Sequence, residues 1–250
     1  MFKKSIFCSL FLLVVASCSE KEFDPNDSEK SYLVAKEPYD DENYEIALTK
    51  LAEFKARFPY SKYAIEAELL IANSHFQLGQ FTEAAVAYEQ FAKLHPKHPK
   101  VDFALYRVGA SYWADAPEEI DREQEYTAKS IEKWEKLVSK YPNSQYSKLA
   151  KDNIKDGRLR IAKSEEFVAK FYCKQEIWHA CAHRNLKIAD KYGEYKDIQL
   201  RAALAASSAL EKLAKQKTEQ PDSDKNLYFK NMSAKQLLEK ARSLKDKASK

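Results

Sequence analysis

The run WHACAHR, Trp178 to Arg184, holds the residue types best suited to chemistry in this chain. His179 and His183 stand at i and i+4, which puts two imidazoles on one helix face. Cys181 lies between them and Glu176 just upstream. Two histidines so placed can ligate zinc, but the ion needs at least a third protein ligand. The glutamate of an HExxH motif is missing and no further ligand shares the face, so no metal is expected. His95 and His98 sit between prolines and are read as positioning a turn. There is no GxSxG, GxxxxGK or GxGxxG run, and four glycines in 250 residues leave little to cradle a phosphate. Neither enzymatic activity nor a soluble cofactor is expected.

Cys18 offers a different chemistry. Lys3 and Lys4 precede an uncharged stretch from Ser5 to Ser17. That stretch falls short of the roughly 20 apolar residues a membrane-spanning helix needs. A positive start, a short apolar run and small residues before a break describe a secretory signal. Val15-Ala16-Ser17-Cys18 resembles the lipobox of bacterial lipoproteins. In that class the chain is cut before the cysteine, the thiol takes a diacyl lipid and the new amine is acylated. Each buried CH2 adds about 0.8 kcal/mol, so several acyl chains hold a protein firmly on a bilayer. The mature chain is therefore expected to be anchored by covalent lipid on Cys18 and not to span. Ser19, by the same resemblance, permits export to the outer membrane. Cys173 and Cys181 then remain. An oxidising periplasm allows a disulfide between them, and two free thiols acting as small apolar groups are the alternative.

Charge points away from nucleic acid. Without residues 1–17 the chain carries 40 basic and 38 acidic side chains. The balance is uneven, with eleven basic against six acidic residues over 211–250. A basic tail of this kind suits an acidic partner, anionic headgroups or a solvated helix face.

The elements that must carry these residues are helices. Few glycines and prolines, with alanine, leucine, lysine and glutamate abundant, disfavour a turn-rich β fold. Between Ala64 and Pro96 apolar residues recur at three-to-four spacing, first at Ala67, Leu70, Ile71 and Leu78, then at Phe81, Ala84, Ala85, Tyr88 and Phe91. Gly79-Gln80 separates the two sets. Turn glycine, aromatic, small Ala84 where helices approach, Tyr88 and closing Pro96 match the tetratricopeptide (TPR) pattern. The unit recurs. Ala47 and Pro59 precede Ala84 and Pro96 by 37 residues each, and Pro142 follows Pro96 by 46. The longer spacing places a polar insertion, ADAPEEIDREQEYT, inside the third hairpin. A fourth unit covers Ile154 to Tyr192, with Gly193 in the place of proline as a C-cap, and a fifth begins at Ile198. Ser233 and Gln236 form a capping box before Leu237, Leu238, Ala241 and Leu244. That last amphipathic helix either caps the array or is free for a partner. The expected organisation is all-α: a signal over 1–17, a lipidated tether over 18–35, a TPR-like helical-hairpin solenoid of about five repeats over 36–215, a polar linker over 216–232 and a C-terminal helix over 233–250. Such repeats leave a groove suited to other protein chains.

The runs FPYSKYAIEAEL, HPKHPKVDFALYR and YPNSQY carry more than a generic repeat requires. From about Tyr44 to Leu200 the chain resembles the BamD family, lipoproteins of the outer-membrane β-barrel assembly machinery. The resemblance implies a place on the periplasmic face of the outer membrane. It also implies docking to the POTRA domains of a BamA-like barrel insertase, handling of unfolded outer-membrane proteins, and company with other Bam lipoproteins. Carried onto matching positions, it makes Phe58, Pro59, Tyr60 and Tyr63 candidates for substrate binding. It makes Trp178 and Arg184, six residues apart, candidates for the BamA contact. Arg184 would hold a partner carboxylate bidentately, as lysine cannot. Asp121-Arg122-Glu123 and Gln175 depart from the family pattern, and nothing beyond Leu213 matches it. The rival reading is another lipid-anchored TPR adaptor serving cell-envelope maintenance or division.

Overall fold

The computed structural model describes residues 22–219 and 228–248. Cys18 and its lipobox lie outside the described residues. Within them there are ten helices and no strand: α1 (Ser28–Asp40), α2 (Tyr44–Arg57), α3 (Lys62–Gln77), α4 (Phe81–Leu94), α5 (Val101–Ala114), α6 (Glu125–Lys140), α7 (Gln145–Lys174), α8 (Trp178–Lys191), α9 (Lys196–Glu219) and α10 (Ala234–Ala248). They pair in sequence as TPR-like hairpins. The chain falls into two compact units, residues 1–67 and 68–250, with the boundary inside α3.

One local rule makes three of the hairpin turns. After α1, α3 and α7 a single residue takes a left-handed backbone: Glu42 (φ 59°), Gly79 (φ 72°) and Glu176 (φ 57°). In each turn that residue's N–H bonds three residues back, and the next N–H bonds five back. Gly79 donates to Phe76 O and Gln80 to His75 O; Glu176 donates to Cys173 O and Ile177 to Tyr172 O. These are Schellman turns, which satisfy carbonyls left over at the helix end. Glycine takes the left-handed position freely, whereas glutamate is strained there. Glu176→Gly is expected to raise stability by about 1 kcal/mol, and Gly79→Ala to lower it by about as much. Denaturant unfolding of the two variants checks the opposite signs.

A second rule ends the second helix of each hairpin. Phe58, His95 and Tyr141 each donate a backbone N–H four residues back, at 2.8–2.9 Å, and each precedes a proline. A residue before proline is pushed out of the helical region, and all three sit near φ −125°, ψ +58°. Tyr192 ends α8 in the same way at φ −119°. Gly193 is not the left-handed cap expected of it, because Gly79 is the one glycine with positive φ. Its lack of a side chain is used against Gln199, whose Nε2 would lie 3.3 Å from an added Cβ.

In residues 1–67, α1 begins inside the stretch 18–35 expected to be a tether and runs on to Asp40. Asp27 caps it by accepting from Glu29 and Lys30 N–H, and Ser31, Tyr32 and Ala35 are buried. Two of those three are small, so the stripe carries little hydropathy and escapes a periodicity search.

In residues 68–250 successive helices pack from α4 onward. The core between α5, α6 and α7 centres on Trp134, which is 1% exposed and donates from Nε1 to Tyr106 O. The insertion is shorter than expected, since α6 already begins at Glu125. Helix α7 is one 30-residue helix that begins at Gln145, ahead of the fourth unit expected from Ile154. It is tied to α9 by Arg201, whose two nitrogens reach Glu166 at 2.8 and 3.1 Å, and this holds the Glu166 carboxyl below its usual range. Cys173 and Cys181 are joined by a disulfide across the α7–α8 turn, with Cα atoms 4.8 Å apart.

The end of the chain is docked. Leu237 and Ala241 of α10 are fully buried against Leu210, Leu213, Ala214 and Cys181. The expected capping box forms, with Ser233 N–H on Gln236 Oε1 and Gln236 N–H on Ser233 Oγ. The linker expected over 216–232 is thereby shortened. Helix α9 continues to Glu219, and Phe229 is buried while Lys217 Nζ donates to the carbonyls of Phe229, Lys230 and Met232.

Candidate functional site

The first candidate surface is aromatic and lies within residues 1–67. Phe54, fully buried, is the hub: Phe58 packs on it at 5.3 Å between centroids, Tyr32 at 5.6 Å and Phe23 edge-on at 6.4 Å. Tyr63 stacks on Tyr32 at 4.9 Å. Lys50 and Arg57 lie over the Phe23 ring, and Lys62 over Tyr63. Burial, and then the Glu66 carboxylate beside it, push the Tyr32 hydroxyl well above the usual phenol range. The hydroxyl therefore stays a neutral donor at any physiological pH. Of the four residues expected here, Phe58 and Tyr63 are tied into this packing, whereas Tyr60 is 100% exposed and Pro59 is exposed beside it. Phe23 and Tyr32 were not on the expected surface. A lone aromatic in the polar run KEFDPNDSE was the available pointer to Phe23.

The second candidate surface runs along α8. One side of the helix carries half-buried His179 and His183 and exposed Lys187 at four-residue steps, with exposed Arg184 beside them. They line a cleft of about 270 Å³ whose other walls are Tyr172, Ile177, Ala180 and Tyr228. The His183 ring lies flat on Tyr228 at 3.7 Å, and the Arg184 guanidinium sits 4.7 Å from the Tyr172 ring. Burial, and then the charges of Lys187 and Arg184, hold the His183 imidazole below its usual range. His179 Nδ1 is buried without a hydrogen-bond partner. Among the described residues that line the cleft none is acidic. Its cations are Arg184 and Lys187, which also border Glu165 and Asp190 in the neighbouring cleft.

The structure does not bring Trp178 and Arg184 onto one face. Six residues turn a helix through about 600°, which leaves them about 120° apart. Trp178 packs toward the α9–α10 core with Lys212 Nζ 4.0 Å above its ring, while Arg184 is exposed. The WHACAHR run does not assemble a metal site either. Cys181 is spent in the disulfide, and among the described residues no three His, Cys, Asp or Glu side chains gather to hold an ion. His95 Nε2 lies 2.7 Å from Glu68 Oε2, a hydrogen-bonding contact that ties the turn to α3. No described helix is long and apolar enough to cross a membrane.

The chain is similar in sequence to known proteins. The chain is 27% identical over 208 residues to the outer membrane protein assembly factor BamD of Neisseria gonorrhoeae, covering 77% of this chain and 73% of that protein. It is 25% identical over 183 residues to the same-named factor of Vibrio cholerae, covering 66% and 76%. Among solved structures, the TPR2AB domain of yeast Sti1 in its pHSP90 complex aligns with 86% of this chain at 13% identity and a TM-score of 0.41. A family model described as YfiO, outer membrane lipoprotein, matches residues 24–223. That match takes in nine helices whole and both candidate surfaces save Phe23 and Tyr228, and on it the chain belongs to the YfiO family of outer membrane lipoproteins.

Proposed function

We propose that this chain is a lipid-anchored scaffold in outer-membrane protein assembly, held at the periplasmic face by acyl groups on Cys18. It works by recognition alone, without bond-making chemistry, metal or soluble cofactor. The aromatic surface around Tyr60 receives unfolded barrel proteins. The basic face of α8 docks a BamA-like insertase through its POTRA domains, with Arg184 as the charge that meets a partner carboxylate. Other Bam lipoproteins are further partners; nucleic acid is not. The observation that carries this reading is the cleft on α8 that gathers Arg184 and Lys187, in a chain whose relatives are named as assembly factors.

Arg184→Glu tests it. Arg184 is exposed, so the reversal leaves the fold intact. Losing one side of a desolvated interfacial charge pair costs about 2–5 kcal/mol, which is a 30-fold or greater loss of affinity. In detergent extracts the wild-type chain is expected to retain a large barrel protein bearing POTRA domains, and the variant to lose most of it at unchanged helicity. Equal retention by both removes Arg184 from the interface. Absence of any such barrel protein overturns the assembly reading in favour of another envelope adaptor.

A further inference from the structure

We infer that the Cys173–Cys181 disulfide is a thiol-exchange site, at which a protein dithiol of the Cys-x-x-Cys class reduces this chain and frees the start of α8 together with α10.

The two sulfurs are not equivalent. Cys173 lies in the last turn of α7 and is half-buried, whereas Cys181 lies in the first turn of α8 and is 2% exposed. The positive end of α8 favours a thiolate on Cys181, and the negative end of α7 disfavours one on Cys173. In thiol exchange the sulfur of lower pKa leaves faster. The connecting residues Lys174, Gln175, Glu176 and Ile177 are all exposed, so an incoming thiol approaches from the turn and meets Cys173 first. Asn185 adds to the asymmetry. It is 3% exposed, and a buried amide is kept by its partners. Its Nδ2 donates to Cys181 O at 2.9 Å, and lies 3.4 Å from Cys173 Sγ and 3.8 Å from Cys181 Sγ. When Cys173 is drawn outward, this donor remains beside the charge developing on Cys181 Sγ.

The exchange balances. A thiolate of the reductant attacks Cys173 Sγ, the Cys173–Cys181 bond breaks, and its electron pair leaves on Cys181 Sγ. The reductant's second thiolate then attacks its own sulfur in the mixed disulfide and expels Cys173 as a thiolate. The reductant ends as a disulfide and two electrons have passed to this chain. Its two cysteines take up the two protons that the reductant's thiols gave to solvent.

The bond spans a strained turn. Glu176 lies inside the loop it closes and holds a left-handed backbone at φ 57°, which glutamate disfavours. Such a residue persists only where its surroundings over-determine it. The disulfide is one of those constraints. Cutting it returns the entropy of loop closure, a factor of roughly ten to a hundred in the opening of so short a loop. The effect reaches further than the turn. Cys181 packs in the core that buries Phe229, Leu237 and Ala241, and Trp178 packs against that core. Reduction therefore loosens the seat of α10 as well as the start of α8.

The test uses the full mature chain in detergent micelles. Glutathione, a single thiol, is expected to form its mixed disulfide on Cys173 and not on Cys181, as read by alkylation and peptide mapping. Thioredoxin is expected to reduce the bond without denaturant. Asn185→Ala is expected to slow that reduction about tenfold, the worth of one hydrogen bond to a charged group. After reduction the amides of Ile177 to Cys181 and of α10 are expected to exchange roughly tenfold faster or more, while those of α5 and α6 keep their rates. Glu176→Gly, whose turn needs no outside constraint, is expected to be reduced and yet keep slow exchange. Glutathione found on Cys181, a bond that yields only once the chain unfolds, or equal exchange before and after reduction would each overturn the inference. None of these three readouts needs a change at Asn185, so they decide the matter even where Asn185→Ala does not fold.

Discussion

Trp134→Ala is expected to destabilise the protein by about 3–5 kcal/mol, the usual range for deleting a large aromatic from a sealed core. Trp134 sits at the centre of the core that joins α5, α6 and α7. Its ring stacks on Tyr106 at 6.1 Å and meets Trp113 at 5.9 Å, and its indole N–H is bonded to the Tyr106 carbonyl. Opposite it sits Gly109, where an added Cβ would fall 2.4 Å from the indole nitrogen. The indole thus occupies a socket shaped by the absence of a side chain. Neighbouring rings cannot close that socket without moving a helix, so most of the cavity stays open and the cost lies toward the upper end. For a unit of this size the loss lowers the melting temperature by roughly 10 °C, readable by circular dichroism. A drop under about 2 °C would mean that the three helices are held by something other than this ring.

Leu237→Ala is expected to cost about 2–4 kcal/mol and to act on α10 before the rest of the molecule. Leu237 is fully buried among Leu210, Leu213, Ala214 and Phe229. The ceiling on its effect is the docking energy of α10 itself, because a helix at the chain's end can leave without unfolding its neighbours. Beyond this packing, which Ala241 and Leu244 share, its polar ties to α9 include Ser207 Oγ on the Ala241 carbonyl and Lys245 on Glu211 at half-exposed positions. Surface ion pairs of that kind add little. Amide exchange should show α10 protection collapsing while α5 to α7 keep theirs. Uniform loss across all helices would instead make α10 part of one cooperative unit with the rest.

The two rules that punctuate the hairpins differ in how visible they are. Proline after the second helix is chemically explicit, because it removes an N–H and pushes its predecessor out of the helical region. Pro59, Pro96 and Pro142 therefore marked three helix ends without any structure. The left-handed turn residue is visible only when it is glycine. Gly79 was legible; Glu42 and Glu176 were not, since tertiary packing holds glutamate where its own preference would not put it. Small buried residues hide in a similar way. Ser31 and Ala35 face a core but score as neutral, and the first part of α1 passed for tether.

By itself the sequence determined the class and most of the rhythm of this protein: helices, hairpins of about 37 residues, a lipobox expected to carry lipid, and a family carried by HPKHPKVDFALYR and YPNSQY. Those features are local, set by backbone chemistry and by the spacing of apolar residues along one helix. Only the tertiary structure decided which side chains meet. It docked α10 instead of leaving it free, and it committed Trp178 to packing while leaving Arg184 exposed. It also stacked His183 on Tyr228, 45 positions further along the chain. The physical reason is that a cleft is made of groups from several elements. Their convergence depends on helix crossing and rotation, which arise from the summed packing of all the helices and are written in no single stretch.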